Sequence, residues 1–285
     1  MLGDVMVDVV ARLAGPVAPG SDAPASISFG GGGSAANVAA WLAFAGCSPA
    51  LVARIGRDDR GARVAAELSA CGVDARLALD DSLPTGTCIV LVDPGGERSM
   101  LPDPGANVAL AAADLPDDLL VAGGHLHVAG YTLVREGPRP AALAAIGRAL
   151  EREVSVSVDP SSAALLSPAF LDELSGVGLL LPNAEEAAVL SGEEDAQRAA
   201  LALARRVLEV VVTLGPSGAL WTDGTRISQI DGERVASPID TTGAGDAFAA
   251  GFLVARLSGA GPEGALREGC RLAAVAVRTS GARPA

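Results

Sequence analysis

The sequence predicts an α/β fold, a mostly parallel central sheet covered by helices on both faces and carrying a small β-sheet lid. Three observations predict it. Beyond residue 107, short β-branched runs alternate with segments of helical periodicity, the pattern of repeated βαβ units. Residues 73–101 differ, since their short alternating runs are split by Pro94-Gly95-Gly96, a hairpin signal. No internal repeat or low-complexity linker divides the 285 residues, so one domain over 1–285 is expected, with a lid from about 8–30 and 73–107.

The elements follow in order. Residues 2–10 are apolar and β-branched, a buried strand in which Asp8 is the odd member. A Pro/Gly/Ser-rich stretch reaches Ser26, and the glycines 30–33 lead into a small-residue helix over 35–45, closed by Gly46. A strand at 51–55 precedes a helix over about 58–70, ended by Gly72. After the hairpin region, strands at 125–128, 154–158, 178–181 and 209–214 alternate with helices near 139–152, 170, 184–190 and 195–206. Residues 219–230 read as a second hairpin, and helices over about 243–257 and 263–277 finish the chain.

Composition excludes several functions. The formal charge is −13, and all 21 cationic side chains are arginine. Without lysine there is neither a Schiff-base amine nor the G-x-x-x-x-G-K-[ST] phosphate loop. No basic stripe supports nucleic-acid binding. Cys47, Cys71, Cys88 and Cys270 form no C-x-x-C, which disfavours a disulfide scaffold or a zinc cluster and suggests a reducing compartment. No leader pattern opens the chain and no apolar run reaches 18 residues, so a cytoplasmic protein without a membrane partner is expected.

The most informative segment is Asp240-Thr241-Thr242-Gly243-Ala244-Gly245-Asp246-Ala247-Phe248. A Gly-rich turn feeding a helix lets the amides of Ala244, Gly245 and Asp246 converge on an anion, aided by the helix dipole. Asp246 would repel that anion unless it serves proton transfer from a hydroxyl. An acid there also complements the dipole, by only ~0.3–1 kcal/mol, and the two glycines and the threonine pair weigh for chemistry. The dinucleotide fingerprint G-x-G-x-x-G fails, because Phe248 stands at its third glycine.

On these residues the chain resembles the ribokinase-like (PfkB-type) carbohydrate kinases. Their C-terminal signature D-T-x-G-A-G-D-x-F matches 240–248, and their N-terminal G-G-x-x-x-N-x-A matches Gly32-Gly33-Ser34-Ala35-Ala36-Asn37-Val38-Ala39, in the family's order. The resemblance implies a ribokinase-like three-layer α/β/α sandwich with a lid. It implies an ATP-dependent, Mg²⁺-requiring kinase acting on a hydroxymethyl group, with Asp246 as base and Gly243, Ala244 and Gly245 in the anion hole. Asp8, Gly32, Gly33 and Asn37 would bind the acceptor. Asn183 and Glu186 match an N-x-x-E motif that places Glu186 near Mg²⁺ through water, while Thr213, Gly215 and Gly218 match a T-x-G-x-x-G loop lining the nucleotide. Asp240, Thr242, Ala276 and Gly281 correspond to a monovalent-cation site, with K⁺ as its ion.

Helix capping accounts for the acids of Asn183-Ala184-Glu185-Glu186 equally well. His125 and His127 are expected to be a satisfied pair at a sheet edge. Ser34 stands where ribokinases often carry lysine, Met6 replaces a polar residue, and Asp159-Pro160-Ser161 departs from the Asp-x-Asn-x-Arg run of hexose and ketogluconate kinases. Ribose and ketogluconate are therefore both in question, and a nucleoside such as adenosine or pseudouridine stands as the alternative acceptor. A phosphosugar is disfavoured, because no arginine is identifiable near the loops. A non-catalytic binding protein and an ATP-dependent hydro-lyase are the rivals from other classes. A homodimer through the lid strands is expected.

Overall fold

The computed structural model describes residues 1–17 and 19–284. Its strands are β1 (Met6–Leu13), β2 (Ala25–Gly32), β3 (Ala50–Gly56), β4 (Asp74–Asp80), β5 (Gly86–Val92), β6 (Arg98–Asp103), β7 (His125–Ala129), β8 (Ser155–Asp159), β9 (Leu179–Leu180), β10 (Glu209–Thr213), β11 (Ala219–Thr222) and β12 (Ile227–Ile230). Its α-helices are α1 (Ser34–Phe44), α2 (Asp59–Ala70), α3 (Tyr131–Val134), α4 (Arg139–Glu151), α5 (Ala184–Ser191), α6 (Ala196–Leu203), α7 (Ala244–Leu257) and α8 (Pro262–Ala276). The helical residues around Phe170 form a 3₁₀ segment, Pro168–Leu174.

Six strands run in the order β12-β11-β10-β9-β8-β7, and β3 and β4 form a parallel pair. Leu2 joins them, bridging in parallel to Val52 of β3 and Val128 of β7. Strands β7 to β10 are parallel to one another, while β11 and β12 close the sheet as the expected antiparallel hairpin. Alternate side chains then bury on opposite faces, as the near-continuous apolar runs require. Val210 and Val212 pack with Ile146 of α4, Leu190 of α5 and Leu203 of α6. Val211 packs with Trp41 of α1, Phe248 and Phe252 of α7 and Leu266 of α8. This is the α/β/α sandwich, and each fully buried Leu, Val or Phe contributes about 1.5–3 kcal/mol of transfer free energy.

The lid is a separate four-stranded sheet, β2-β1-β5-β6. Two expectations change here. The apolar run 2–10 is not one strand: residues 1–3 belong to the central sheet and β1 to the lid. The break lies at Val5, whose backbone N–H and C=O are both taken by the side chain of Asn107, at 3.0 and 2.9 Å, so no neighbouring strand can pair there. Likewise, only β5 and β6 of the region 73–101 form a hairpin; β4 pairs in parallel with β3, across the α2 crossover. Val73, Leu51, Ile55, Val64 and Leu68 share one buried cluster, and that burial outweighs local hairpin propensity.

Candidate active site

A cavity of about 900 Å³ opens between the lid and the C-terminal ends of the central strands. Asp8, Cys88 and Met100 line it from the lid, Asp159, Asn183 and Thr213 from the strand ends, and Asp246 from α7. Ligands of open α/β sheets bind at this end because the strand-to-helix loops converge there.

Asp246 sits in the first turn of α7. The helix starts at Gly243, whose φ of +75° and close approach to Ala282 leave no room for a side chain: a Cβ would lie 2.3 Å from the Ala282 carbonyl oxygen. One carboxylate oxygen of Asp246 accepts from Ser34 Oγ at 2.9 Å, and the other accepts from Asn37 Nδ2 at 2.9 Å. Desolvation raises its pKa to about 7, with the charges of Asp4 and Asp8 adding to the rise and the two hydrogen bonds opposing it. The first amides of a helix have no intrahelical acceptor. That of Ala244 turns back to the Thr241 carbonyl at 3.3 Å, whereas Gly243, Gly245 and Asp246 line the cavity. Ala244 is therefore the one member of the expected set outside the cavity wall.

Asp8 lies within β1, on the lid rather than at a central strand end, opposite Gly30. Burial raises its pKa to about 6, and the Arg283 guanidinium opposes that rise. Gly32 packs against it so closely that a Cβ would meet Asp8 Oδ1 at 2.2 Å. Gly33, Ser34 and Asn37 complete this wall. The acid at the end of the first central strand is instead Asp4. It is buried, and its carboxylate accepts from the Ser34 and Ala35 amides, both at 3.3 Å, capping α1 in place of Gly33, which has no side chain to do so.

Asn183 and Glu186 form a reciprocal capping box: the Glu186 amide donates to Asn183 Oδ1 at 2.9 Å, and the Asn183 amide donates to Glu186 Oε2 at 2.8 Å. Capping is thus realised, and it leaves Glu186 Oε1 available to the cavity. Asp159 faces the same space, its pKa well raised by burial and then by the Glu186 charge. Two carboxylates raised by burial, Asp159 also by the Glu186 charge, suit a hard divalent cation that takes its remaining ligands from phosphate and water. Among the described residues no three acidic, His or Cys side chains cluster tightly enough to hold a metal without such help.

Asp240 is fully engaged. Oδ1 accepts from the Thr242 amide at 2.9 Å and hydroxyl at 2.6 Å, Oδ2 accepts from the Gly281 amide at 3.1 Å, and Arg98 and Arg12 pair with it at 3.4 and 3.6 Å. Burial notwithstanding, these donors hold its carboxyl below the usual range. Arg98, on β6, also donates to Thr241 Oγ1 at 2.7 Å and to the Thr242 hydroxyl, so the lid is latched to the loop before Asp246. The Ala276 carbonyl accepts from the Thr279 hydroxyl at 3.0 Å. Thr213 lines the cavity; Gly215 and Gly218 lie in the turn after it and are not part of the wall.

Sequence reasoning missed Asp4, Ser34, Tyr131, Arg98, Arg135 and Arg283. Ser34 had a signal, lying inside the glycine-to-Asn37 motif; the arginines had none, since the lid hairpin brings Arg98, the end of α3 brings Arg135 and the C-terminal segment brings Arg283. The expectation of no arginine near the loops is overturned: Arg98 and Arg135 line the cavity. His125 and His127 lie inside the sheet, since Leu2 covers β7. The His127 ring bonds to Ser157 Oγ at 2.7 Å through Nδ1, its Nε2 has no partner, and burial pushes its pKa down to about 3.

A family model described as pfkB family carbohydrate kinase matches residues 1–285. The chain is 33% identical over 288 aligned residues to the ATP-dependent ribose-1-phosphate kinase of Halopiger xanaduensis, covering 99% of this chain and 93% of that protein. It is 30% identical over 265 residues to a fructokinase of Salmonella typhimurium, covering 89% and 82%. Among solved structures it resembles adenosine kinase from Sinorhizobium meliloti with a TM-score of 0.90 at 28% identity, covering 99% and 94%. It resembles Arabidopsis thaliana ribokinase complexed with ribose and ATP with a TM-score of 0.84 at 27% identity, covering 99% and 92%.

Proposed function

The chain belongs to the pfkB family of carbohydrate kinases, and from that premise we propose that it transfers the γ-phosphoryl group of ATP to a hydroxymethyl group of a sugar or ribosyl compound, with Asp246 as general base. The observation that carries this reading is the setting of Asp246. Its carboxylate, with a pKa of about 7, sits on the cavity wall at a helix N-terminus where Gly243 and Gly245 line the same space. In the reaction the acceptor hydroxyl oxygen bonds to the γ-phosphorus, its proton passes to Asp246, and the bond to the β–γ bridging oxygen breaks to release ADP. The Gly243, Gly245 and Asp246 amides hold the transferring group, and Asp8, Gly32, Gly33 and Asn37 orient the acceptor. Glu186 and Asp159 would hold Mg²⁺, which would neutralise phosphate charge. Asn183 and Thr213, with the Gly215–Gly218 turn, take the nucleotide.

Steady-state kinetics of Asp246→Asn test the base. A fall in kcat of roughly 10²–10⁴-fold with ATP binding retained is expected, and near-normal kcat would refute it.

Potassium would bind at Asp240, Thr242, Ala276 and Gly281; the two arginines already paired with Asp240 lessen the need for it. A homodimer joined through the lid fits an apolar row on one lid face, Phe29-Val9-Ile89-Leu101, paired strand to strand. Among the described residues no helix is long and apolar enough to cross a membrane. The four free cysteines suit the proposed reducing, cytoplasmic setting.

A phosphorylated pentose is a second reading for the acceptor, alongside a nucleoside. It is favoured by Arg135, which lines the cavity over the Tyr131 ring and has no ion-pair partner among the described residues. An acceptor panel of ribose, ribose 1-phosphate, fructose and adenosine separates these readings. If the phosphorylated sugar is the substrate, Arg135→Ala raises its KM by about 10-fold or more, the loss of one charge-assisted contact, and leaves the KM for ATP in place.

A further inference from the structure

Arg283 lies outside the cavity wall yet touches the residues that hold Asp246. Its backbone neighbours are pinned: the Trp41 indole donates to the Ala282 carbonyl at 2.9 Å, and the Gly281 amide to Asp240 Oδ2 at 3.1 Å. The Arg283 side chain, 9% exposed, passes between lid strand β2 and helix α1. Nη2 donates to the Gly32 carbonyl at 2.8 Å, and Nε donates to Asn37 Oδ1 at 3.2 Å. Among the described residues Nη1 has no hydrogen bond, and it faces Glu67 of α2 at 3.9 Å.

A guanidinium only donates, whereas an amide side chain presents either an acceptor oxygen or a donor nitrogen. With Oδ1 of Asn37 claimed by Arg283, its Nδ2 must be the atom turned to Asp246, which it reaches at 2.9 Å. A donor at that position favours the ionised carboxylate. Were Oδ1 free, the amide could rotate and accept a proton from a protonated Asp246, favouring the inactive form instead. We propose that Arg283 is a positioning residue: it locks the Asn37 amide so that Asp246 is held as the carboxylate that receives the acceptor's proton. The proposal rests on the reading of Asp246 as base.

The other groups facing Asp246 make such a device useful. Asp4 before β1, Asp8 on β1, Asp159 on β8 and Tyr131 on α3 surround it; Asp4 and Asp8 push its proton on, while the Asp246 charge in turn raises Asp159 and Tyr131. The Arg135 charge, beside α3, lowers Asp4, and Glu67 draws on Arg283 from the far side.

The test is the pH profile of kcat for Arg283→Met and Gly31→Ala. A Cβ at Gly31 would lie 2.0 Å from Arg283 Nη1, so Gly31→Ala displaces the flexible end of the side chain while keeping its charge in the molecule. Both variants should move the acid limb up by about half a pH unit or more, with kcat near pH 6.5 falling ~3-fold or more and recovering toward the parent near pH 9, while the KM for ATP stays unchanged. In an Asn37→Ala background, Arg283→Met should move the limb less than it does in the parent. An unmoved limb, an equal loss at every pH, or a full additional shift in the Asn37→Ala background would overturn the proposal. If Arg283→Met fails to fold, Gly31→Ala decides alone. Asp246→Asn separates the two ideas: if it is inactive while these limbs stay unmoved, only the role of Arg283 fails, and if it turns over normally, both fail.

Discussion

Asp246 owes its chemistry to its surroundings, and the same surroundings make it costly to the fold. Its pKa of about 7 in the folded protein lies above the ordinary carboxylate value of 3.8. Between those values the folded state binds more protons than the unfolded one, so this group's contribution to stability falls as pH rises through that window and is lowest above about pH 7. Asp246→Asn should therefore raise Tm near pH 8, by about 2–4 °C for each kcal/mol relieved, with little change near pH 4. Calorimetry at the two pH values checks this; a Tm lowered at pH 8 would mean that the Ser34 and Asn37 hydrogen bonds outweigh the buried charge. The place of this residue in the first turn of a helix was legible from its glycine turn. The Ser34 and Asn37 donors were half legible, since the glycine-to-Asn37 motif brackets both. Asp4 was passed over because nothing local shows that the apolar run turns at Val5.

At the level of elements, α7 and the lid line opposite sides of the cavity, α7 with the end proposed to hold the anion and the lid as its cover. The latch between them is Arg98, which joins β6 to Thr241, Thr242 and Asp240. In the proposed transfer, closure would exclude water from the phosphoryl group. Arg98→Ala should raise the acceptor KM and increase ADP release without acceptor relative to turnover with it, measured in a coupled assay; an unchanged ratio would show that the latch does not govern closure. Helix α5 illustrates a limit of motif reading. Asn183 and Glu186 cap the helix and also face the cavity, because a strand end that starts a helix must satisfy the helix's first amides with whatever side chains stand there. Sequence alone leaves the two roles indistinguishable; only the position of Asp159 on the same cavity as Glu186 gives the proposed metal-binding role a second acid.

Across the whole molecule, the central sheet is covered on both faces but the lid is not. Ile27, Phe29, Ile89 and Leu101 are 61%, 58%, 45% and 54% exposed on the lid sheet, a cost in water that a second copy of the chain would remove. Phe29→Glu should shift the protein to monomer in light scattering if the lid is the interface; a monomeric parent would refute the dimer. The sequence by itself determined the α/β alternation, the parallel strands and the two glycine-rich turns, because hydrophobic period and turn chemistry are local properties carried by neighbouring residues. Tertiary structure alone decided that residues 2–10 divide between two sheets, that β4 joins β3, and that Arg98, Arg135 and Arg283 reach the site. The reason is physical. Strand partners and buried charge pairs are chosen by the apolar area and hydrogen bonds available across the folded chain, and Arg283 meets Asn37 from 246 residues away.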